Sequence, residues 1–373
     1  MKFVVSSTNL LGHLQSISRI INSKNTMAIL DNILFELEGN MLSLTASDLE
    51  TTAITRFEVD NAEENGKVAI NTKMLLDTLR EFSEQPLLFE INNENFELII
   101  SSENGKYTFI GKNGGEFPQL PSLSAETLEL TIPGNSLYNA INKTLFCTAD
   151  DELRPVMNGI YFDMTGEQLT VVATDAHKLV RLHTNINAQL GTGFILPKKP
   201  ATLLKNILAK EENDVHISFD SKNIRFALTN YTVVCLQVEG RFPNYNAVIP
   251  QNNPRKVIVD RATFTNALKR VSVFANQSSN LIKLNLNNNA IEISAQDIDF
   301  STSAEETINC QYNDEPMNIG FKSTFLIDLL NNISSSDVVM ELSDPSRAGL
   351  ILPFENEENE DLLMLLMPML LND

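Results

Sequence analysis

The chain has 373 residues, 43% of them hydrophobic and 20% charged, which is the balance of a globular protein and more length than one ordinary domain needs. No apolar run reaches the roughly 18 residues that span a bilayer, and three distant cysteines, Cys147, Cys235 and Cys310, without a CxxC spacing indicate neither a disulfide framework nor a zinc site. A net charge of −20 argues against phosphate-bearing partners unless the positive charge is concentrated somewhere.

The opening MKFVVSSTNLLGHL turns polar after three apolar residues, so no secretory leader is expected and a reducing cytoplasm is the expected location. TNLLGHLQSISRII then predicts an amphipathic helix over 8–22, GNMLSLTASDLE an alternating strand ending at Asp48, and AINTKMLLDTLREF a strand running into a second helix over 72–82 with Lys73 at its start. EFPQLP can continue neither a helix nor a central strand and closes this stretch.

The same order returns twice. GNSLYNAINKTLF predicts a helix over 135–148, GEQLTVVATDAHK a strand to Asp175, ILPKKPATLLKNIL a helix over 197–210 with Lys198 at its start, and GRFPNYNAVIP the close. RATFTNALKRVSVF predicts a helix over 261–278, NNAIEISAQDID a strand to Asp297, and IGFKSTFLIDLLNNI a helix over 321–333 with Lys322 at its start. Leu10, Leu137 and Phe264 are 127 residues apart in both steps, and the three aspartates are 127 and 122 apart. The expectation is an α+β chain of three tandem domains, 1–124, 125–252 and 253–373, each with two helices packed on antiparallel sheet. The last element is the run DLLMLLMPMLLND after an acidic ENEENE loop, of which Leu362 to Leu366 read as core strand and Met367 to Leu371 as a methionine-rich rim facing a partner.

Charge is not spread evenly over these elements. The six predicted helical segments carry 12 lysines and arginines against 3 acids, a balance of +9, which leaves −29 for everything else. Glutamate is as good a helix former as lysine, so propensity alone does not explain its scarcity there. Helices gathered on one side would give a locally positive surface on an acidic protein.

In register across all three repeats, MAILDNILFE, LSLTASDLE, RPVMNGIYFD, VVATDAHKLV, EGRFPNYNAVIP, IGFKSTFLIDLL and the terminal MPMLL resemble the bacterial sliding clamps, the beta subunits of the replicative DNA polymerase III holoenzyme. The resemblance implies a DNA clamp fold, a head-to-tail homodimer closed as a ring around double-stranded DNA without base readout, and a non-catalytic processivity role without cofactor, metal or membrane. It also implies partners that dock by short linear motifs: the replicative polymerase, the clamp loader, other polymerases and repair proteins. The docking pocket would be built by Thr174, His177, Leu179, Pro243, Val248, Phe325, Ser346, Leu365, Leu366, Met367, Pro368, Met369 and Leu371. DNA would be met by Lys24, Lys73, Arg154, Lys198 and Lys199, to which charge segregation adds Lys269 and Lys322. The dimer contact would join Lys106, Tyr107 and Phe109 of an edge strand to Val273 and Phe274. Where the family often carries arginine, this chain has Ala247 and Leu370, and it adds Asn372 and Asp373, so a more apolar pocket is expected.

The residues show no phosphate-binding G-x-x-x-x-G-K-[ST] loop, and His177 and His183 do not have helical i, i+4 spacing. Asp48, Asp175 and Asp297 recur once per repeat, which suits a shared turn better than catalysis. An enzyme with an inter-domain cleft and a DNA-free peptide-docking scaffold are the competing readings. The first needs a perturbed ionisable cluster, and the second would not be retained on circular DNA.

Overall fold

The computed structural model describes residues 1–371, so Asn372 and Asp373 lie outside the described residues. Its six α-helices are α1 (Ser7–Ile17), α2 (Thr72–Arg80), α3 (Gly134–Leu145), α4 (Lys198–Leu208), α5 (Arg261–Ser272) and α6 (Ser323–Asn331). Side-chain caps start three of them: Ser6 accepts from Asn9 N, Asn71 from Met74 N and Asp260 from Thr263 N. Leu10, Leu14 and Ile17 form the buried stripe of α1 at steps of four and three. None of the helices among the described residues is long and apolar enough to cross a membrane.

All six helices are shorter than their periodicity predicts, two of them markedly. Past Ile17 the chain tightens into a 3₁₀ turn, Ser18–Ile20. The helix predicted to reach 278 stops at Ser272, because Asn276 Oδ1 takes the backbone N–H groups of Ser278 and Ser279 and offers them an alternative to helical bonding.

The chain forms two compact units. The first contains Met1–Asn139 with Leu196–Val238 and holds two antiparallel sheets. One is five-stranded, with Lys106–Ile110 as an edge strand. The other has nine strands, because Tyr231–Leu236 pairs with Thr51–Glu58, joining the second repeat's strands to the first repeat's. The second unit contains Ala140–Ile195 with the chain from Glu239 onward. Its eight-stranded sheet is joined where Lys178–Asn187 pairs with Glu360–Leu366, Leu179 facing Leu365 and Leu182 facing Leu362. A four-stranded sheet in the same unit runs from the edge strand Thr302–Asn309 to Met317–Lys322. The middle repeat is thus divided between its neighbours by continuous hydrogen bonding, with the helices packed on antiparallel sheets.

The repeated aspartates build the same local device. Asp48 Oδ1 accepts from Glu50 N and Thr51 N at 3.0 and 2.7 Å, Asp175 Oδ1 from His177 N and Lys178 N at 2.9 and 2.8 Å, and Asp297 Oδ1 from Asp299 N and Phe300 N at 3.0 and 3.3 Å. Each side chain mimics a backbone turn. In the first two copies the following residue, Leu49 or Ala176, is held at a φ of 78° or 74°, a conformation that costs a non-glycine residue energy.

Two lysines of the helices are tied down inside their own units. Lys143 on α3 is buried and donates to Glu357 Oε2 at 2.7 Å and to Glu360 Oε2, while Glu357 Oε1 accepts from Ser334 Oγ at 2.6 Å. On α4, Lys199 Nζ reaches Asp48 Oδ2 and, at 2.6 Å, Asn22 Oδ1. One oxygen of Asp48 therefore shapes its turn and the other holds the second repeat's helix.

Candidate functional site

The turn after Asp175 and the end of the chain meet in the second unit. Thr174 Oγ1 donates to Lys178 O at 2.8 Å and accepts from Ala176 N at 3.1 Å, which closes the loop and leaves His177 exposed at its tip. The strand Glu360–Leu366 runs beside this turn with Leu362 to Leu366 buried, and the chain then leaves the sheet. Met367 N donates to His177 O at 2.9 Å and Met369 N to Gly320 O at 2.8 Å, with Pro368, which has no N–H to satisfy, between them. The five residues from Met367 thus form a strap from the middle repeat's turn to the third repeat's strand.

That crossing requires a glycine beneath it. A Cβ on Gly320 would lie 2.7 Å from Met369 O and 2.8 Å from Leu371 Cδ2, closer than side chains tolerate. On the strap, Met367 is 44% and Leu370 79% exposed, whereas Pro368, Met369 and Leu371 are half-buried. Leu371 also lines a cavity of about 510 Å3 with Leu281, Lys283 and Ile298.

Phe325 on α6 supplies the aromatic wall. Its ring is 5.8 Å from His177 at an interplanar angle of 28°, with Lys178 Nζ 5.0 Å and Lys322 Nζ 4.5 Å from its centroid. Lys178 is buried, 5.2 Å over Phe146 and 3.3 Å from Asp328 Oδ2, so its charge is neutralised within the site. Around Val248, Tyr245 donates to Asp163 Oδ2 at 2.7 Å and anchors the loop; burial and that bond push the Tyr245 phenol well above its ordinary range.

The structure therefore unites Thr174, His177, Leu179, Phe325 and the tail residues, but with unequal roles. Leu179, Leu365 and Leu366 are buried strand residues, and Thr174 is a buried turn former, so these four form the floor beneath the exposed ones. Pro243, Val248 and Ser346 lie on other loops of the same unit, and among the described residues no hydrogen bond or ion pair joins them to the cluster. Lys178, Gly320 and Tyr245 were missed. A lysine inside the apolar alternation of HKLVRL, and a glycine immediately before FKSTF, are the sequence signals that mark two of them.

The expected DNA contacts separate in the same way. Lys24, Lys73, Lys198 and Lys269 are exposed and have no ion-pair partner among the described residues. Lys199 is held by Asp48. Lys322 lies over Phe325, its Nζ 4.5 Å from the ring centroid. Arg154 donates through Nε to Asp151 Oδ2 at 2.8 Å, holding that carboxyl below its usual range, and shares a cavity of about 500 Å3 with Asp175 and His177. Lys143, counted among the helical cations, is internal. Among the described residues the six helices still hold nine basic residues against two acidic ones.

Of the expected dimer residues, Lys106 and Tyr107 are exposed on their edge strand, with Tyr107 packed edge-on against Phe82 at 5.2 Å. Phe109 is only 5% exposed and faces its own core, whereas Ile110, which was not selected, is 73% exposed. Phe109 and Ile110 differ because adjacent residues of a strand point to opposite faces. Val273 and Phe274 are both exposed directly after α5, Val273 at 78%.

Family models of the DNA polymerase III beta subunit match nearly the whole chain: the N-terminal domain over residues 1–121, the central domain over 131–244 and the C-terminal domain over 246–370. The beta sliding clamp of Haemophilus influenzae is 28% identical over 370 residues, covering 99% of this chain and 100% of the relative, and that of Escherichia coli K12 is 27% identical over the same shares. The fold matches the crystal structure of a Pseudomonas aeruginosa DnaN sliding clamp bound to griselimycin with a TM-score of 0.94 at 27% identity, covering 100% of both chains. A Bartonella birtlesii DnaN sliding clamp, also bound to griselimycin, gives 0.93 at 28% identity and the same coverage. With all three domains matched in order, from residue 1 to residue 370, the chain belongs to the DNA polymerase III beta subunit family, the bacterial sliding clamps.

Proposed function

We propose that two copies of this chain close head to tail around duplex DNA, tether the replicative polymerase and other motif-bearing replication and repair proteins through the Phe325 and tail site, and work in the cytoplasm at the nucleoid. The role is non-catalytic processivity. The observation that carries the DNA half of this reading is the nine-to-two excess of basic over acidic residues on the helices of a chain whose net charge is −20. Three repeats per chain used twice supply six similar parts for closure, with domain boundaries near 124 and 252. Protein loaded on nicked circular DNA should stay bound and should fall off when the DNA is cut; retention on linear DNA overturns the topological reading.

The free cations Lys24, Lys73, Lys198 and Lys269 are the phosphate-binding groups in this reading, and Lys199 is a junction residue. Replacing Lys24 and Lys198 with alanine should reduce the salt slope of DNA binding by about one unit for each lysine removed. Replacing Lys199 should leave the slope nearly unchanged and lower thermal stability instead.

Ring closure joins the edge strand Lys106–Ile110 of one copy to Val273 and Phe274 of the other, with Tyr107 and Ile110 as the apolar contribution of the strand. Val273→Asp with Phe274→Asp should convert the dimer to a monomer in sedimentation, because charge buried against an apolar edge is left unpaired. A double variant that still sediments as a dimer would place the interface elsewhere.

A further inference from the structure

Four asparagines of the chain precede glycine, whose backbone nitrogen has no neighbouring Cβ to shield it: Asn65, Asn104, Asn113 and Asn158. Three of the four are held. Asn65 Oδ1 accepts from Gly39 N at 3.0 Å, and Gly66 is paired in its strand with Leu37. Asn113 Oδ1 accepts from Gly115 N at 2.9 Å, while the Asn158 side chain exchanges two bonds of 3.0 Å with the backbone of Asp151.

Asn104 differs in each respect. It is exposed in the turn between the strands Glu97–Ser101 and Lys106–Ile110, and its side chain makes no hydrogen bond among the described residues. The Gly105 carbonyl is fixed by Ser102, from N at 2.9 Å and from Oγ at 3.3 Å, but the Gly105 N–H has no acceptor among the described residues. The nucleophile and the side-chain carbonyl it would attack are therefore both free. A Cβ on Gly105 would lie 3.0 Å from Tyr107 Oη, so the Tyr107 ring packs over this turn.

We propose that Asn104 is a deamidation site of the folded chain and that its modification loosens the ring. The Gly105 nitrogen bonds to Asn104 Cγ and gives up its proton; the Cγ–Nδ2 bond breaks, and Nδ2 leaves with that proton as ammonia. Water then opens the cyclic imide at one carbonyl or the other, giving aspartate or isoaspartate, and no oxidant or reductant is needed. Isoaspartate routes the backbone through the side chain and lengthens the turn beneath Tyr107. Either product places a new carboxylate between the exposed Glu103 and the edge strand. The effect on the ring rests on the closure reading above, in which Tyr107 belongs to the contact.

The test ages the full-length protein in mildly alkaline buffer at physiological temperature and follows the four sites by peptide mass spectrometry, with isoaspartate separated from aspartate by chromatography. A hydrogen bond that must break first slows a step by about tenfold, so Asn104 should react at least about tenfold faster than Asn65, Asn113 or Asn158. In urea-unfolded protein the four rates should converge. Equal rates in the folded protein, or a preference for Asn104 that persists in urea, overturn the proposal. Aged wild-type dimer should dissociate roughly tenfold more readily in sedimentation, the scale of displacing an aromatic anchor, whereas aged Asn104→Gln should match fresh protein. Gly105→Ala, whose Cβ shields the nitrogen, should slow the reaction and supplies the same comparison if the glutamine protein does not fold. Aged wild type that dissociates no more than the aged variants overturns the proposal. Fresh protein that is already monomeric refutes the closure reading and the ring effect with it, while the mapped rates still decide the site.

Discussion

Replacing Lys143 with methionine should lower the melting temperature by roughly 10 °C. The lysine is buried on α3 and donates to Glu357 and to the nearly buried Glu360, so methionine fills its volume but leaves two carboxylates together without their cation. Removing one partner of a buried ion pair costs about 3–5 kcal/mol, and in a unit of roughly this size each kcal/mol moves the transition by about 2–4 °C. Exchanging Glu357 and Glu360 for glutamine in the same protein should restore much of the loss, because the desolvated charges are then gone. The pH dependence has a definite sign. The Lys143 ammonium, followed by the Ser334 hydroxyl, holds the Glu357 carboxyl below its ordinary value of 4.5, so the stabilisation is present above that value and lost as pH falls through the lower folded value. Acid should therefore destabilise the wild-type protein more than Lys143→Met. A variant that melts with the wild type at neutral pH would show that the pair contributes nothing.

A chain ending at Leu366 should fold as a dimer and lose binding of a micromolar docking peptide by about a hundredfold. The truncation leaves the strand Glu360–Leu366 and its pairing intact, and removes two backbone hydrogen bonds and the apolar surface of Met367, Met369 and Leu371. At roughly 25 cal/mol per Å2, forgoing the burial of about 100 Å2 of apolar surface costs about 2.5 kcal/mol, close to that factor. Gly320→Val makes the same point without shortening the chain. Its side chain would collide with Met369 O, a backbone atom that cannot rotate away, so the strap must lift. Calorimetric titration of both proteins, with a thermal melt of each, measures the effect. Undiminished peptide affinity in the folded truncated dimer refutes the docking assignment, and loss of the fold would make the whole tail core.

What the sequence revealed depended on how local the cause was. Asp48, Asp175 and Asp297 could be read as one turn because each bonds to N–H groups two and three residues ahead. The division of the tail between strand and strap was legible because Pro368 interrupts a strand-length apolar run. Lys143 and Lys199 could not be read, since their carboxylates lie 217 and 151 residues away in the chain. Lys322 shows the same limit, since its charge was visible in the sequence and the Phe325 ring beneath it was not. Phe109 shows a finer limit: an edge strand can be recognised while the one side chain that enters its own core is not.

The pairing of Lys178–Asn187 with Glu360–Leu366 also fixes an order of events during translation. Arg181 waits for Asp361, 180 residues later, and at about 5–20 residues per second the ribosome takes roughly 10–40 s to deliver it. Until then Lys178–Asn187 lacks the strand that closes its side of the sheet, an open template for another nascent chain on the same message. Met367 to Leu371 emerge later still. On the docking assignment proposed above, a partner peptide therefore has no surface to engage until the sheet that would otherwise aggregate has been sealed.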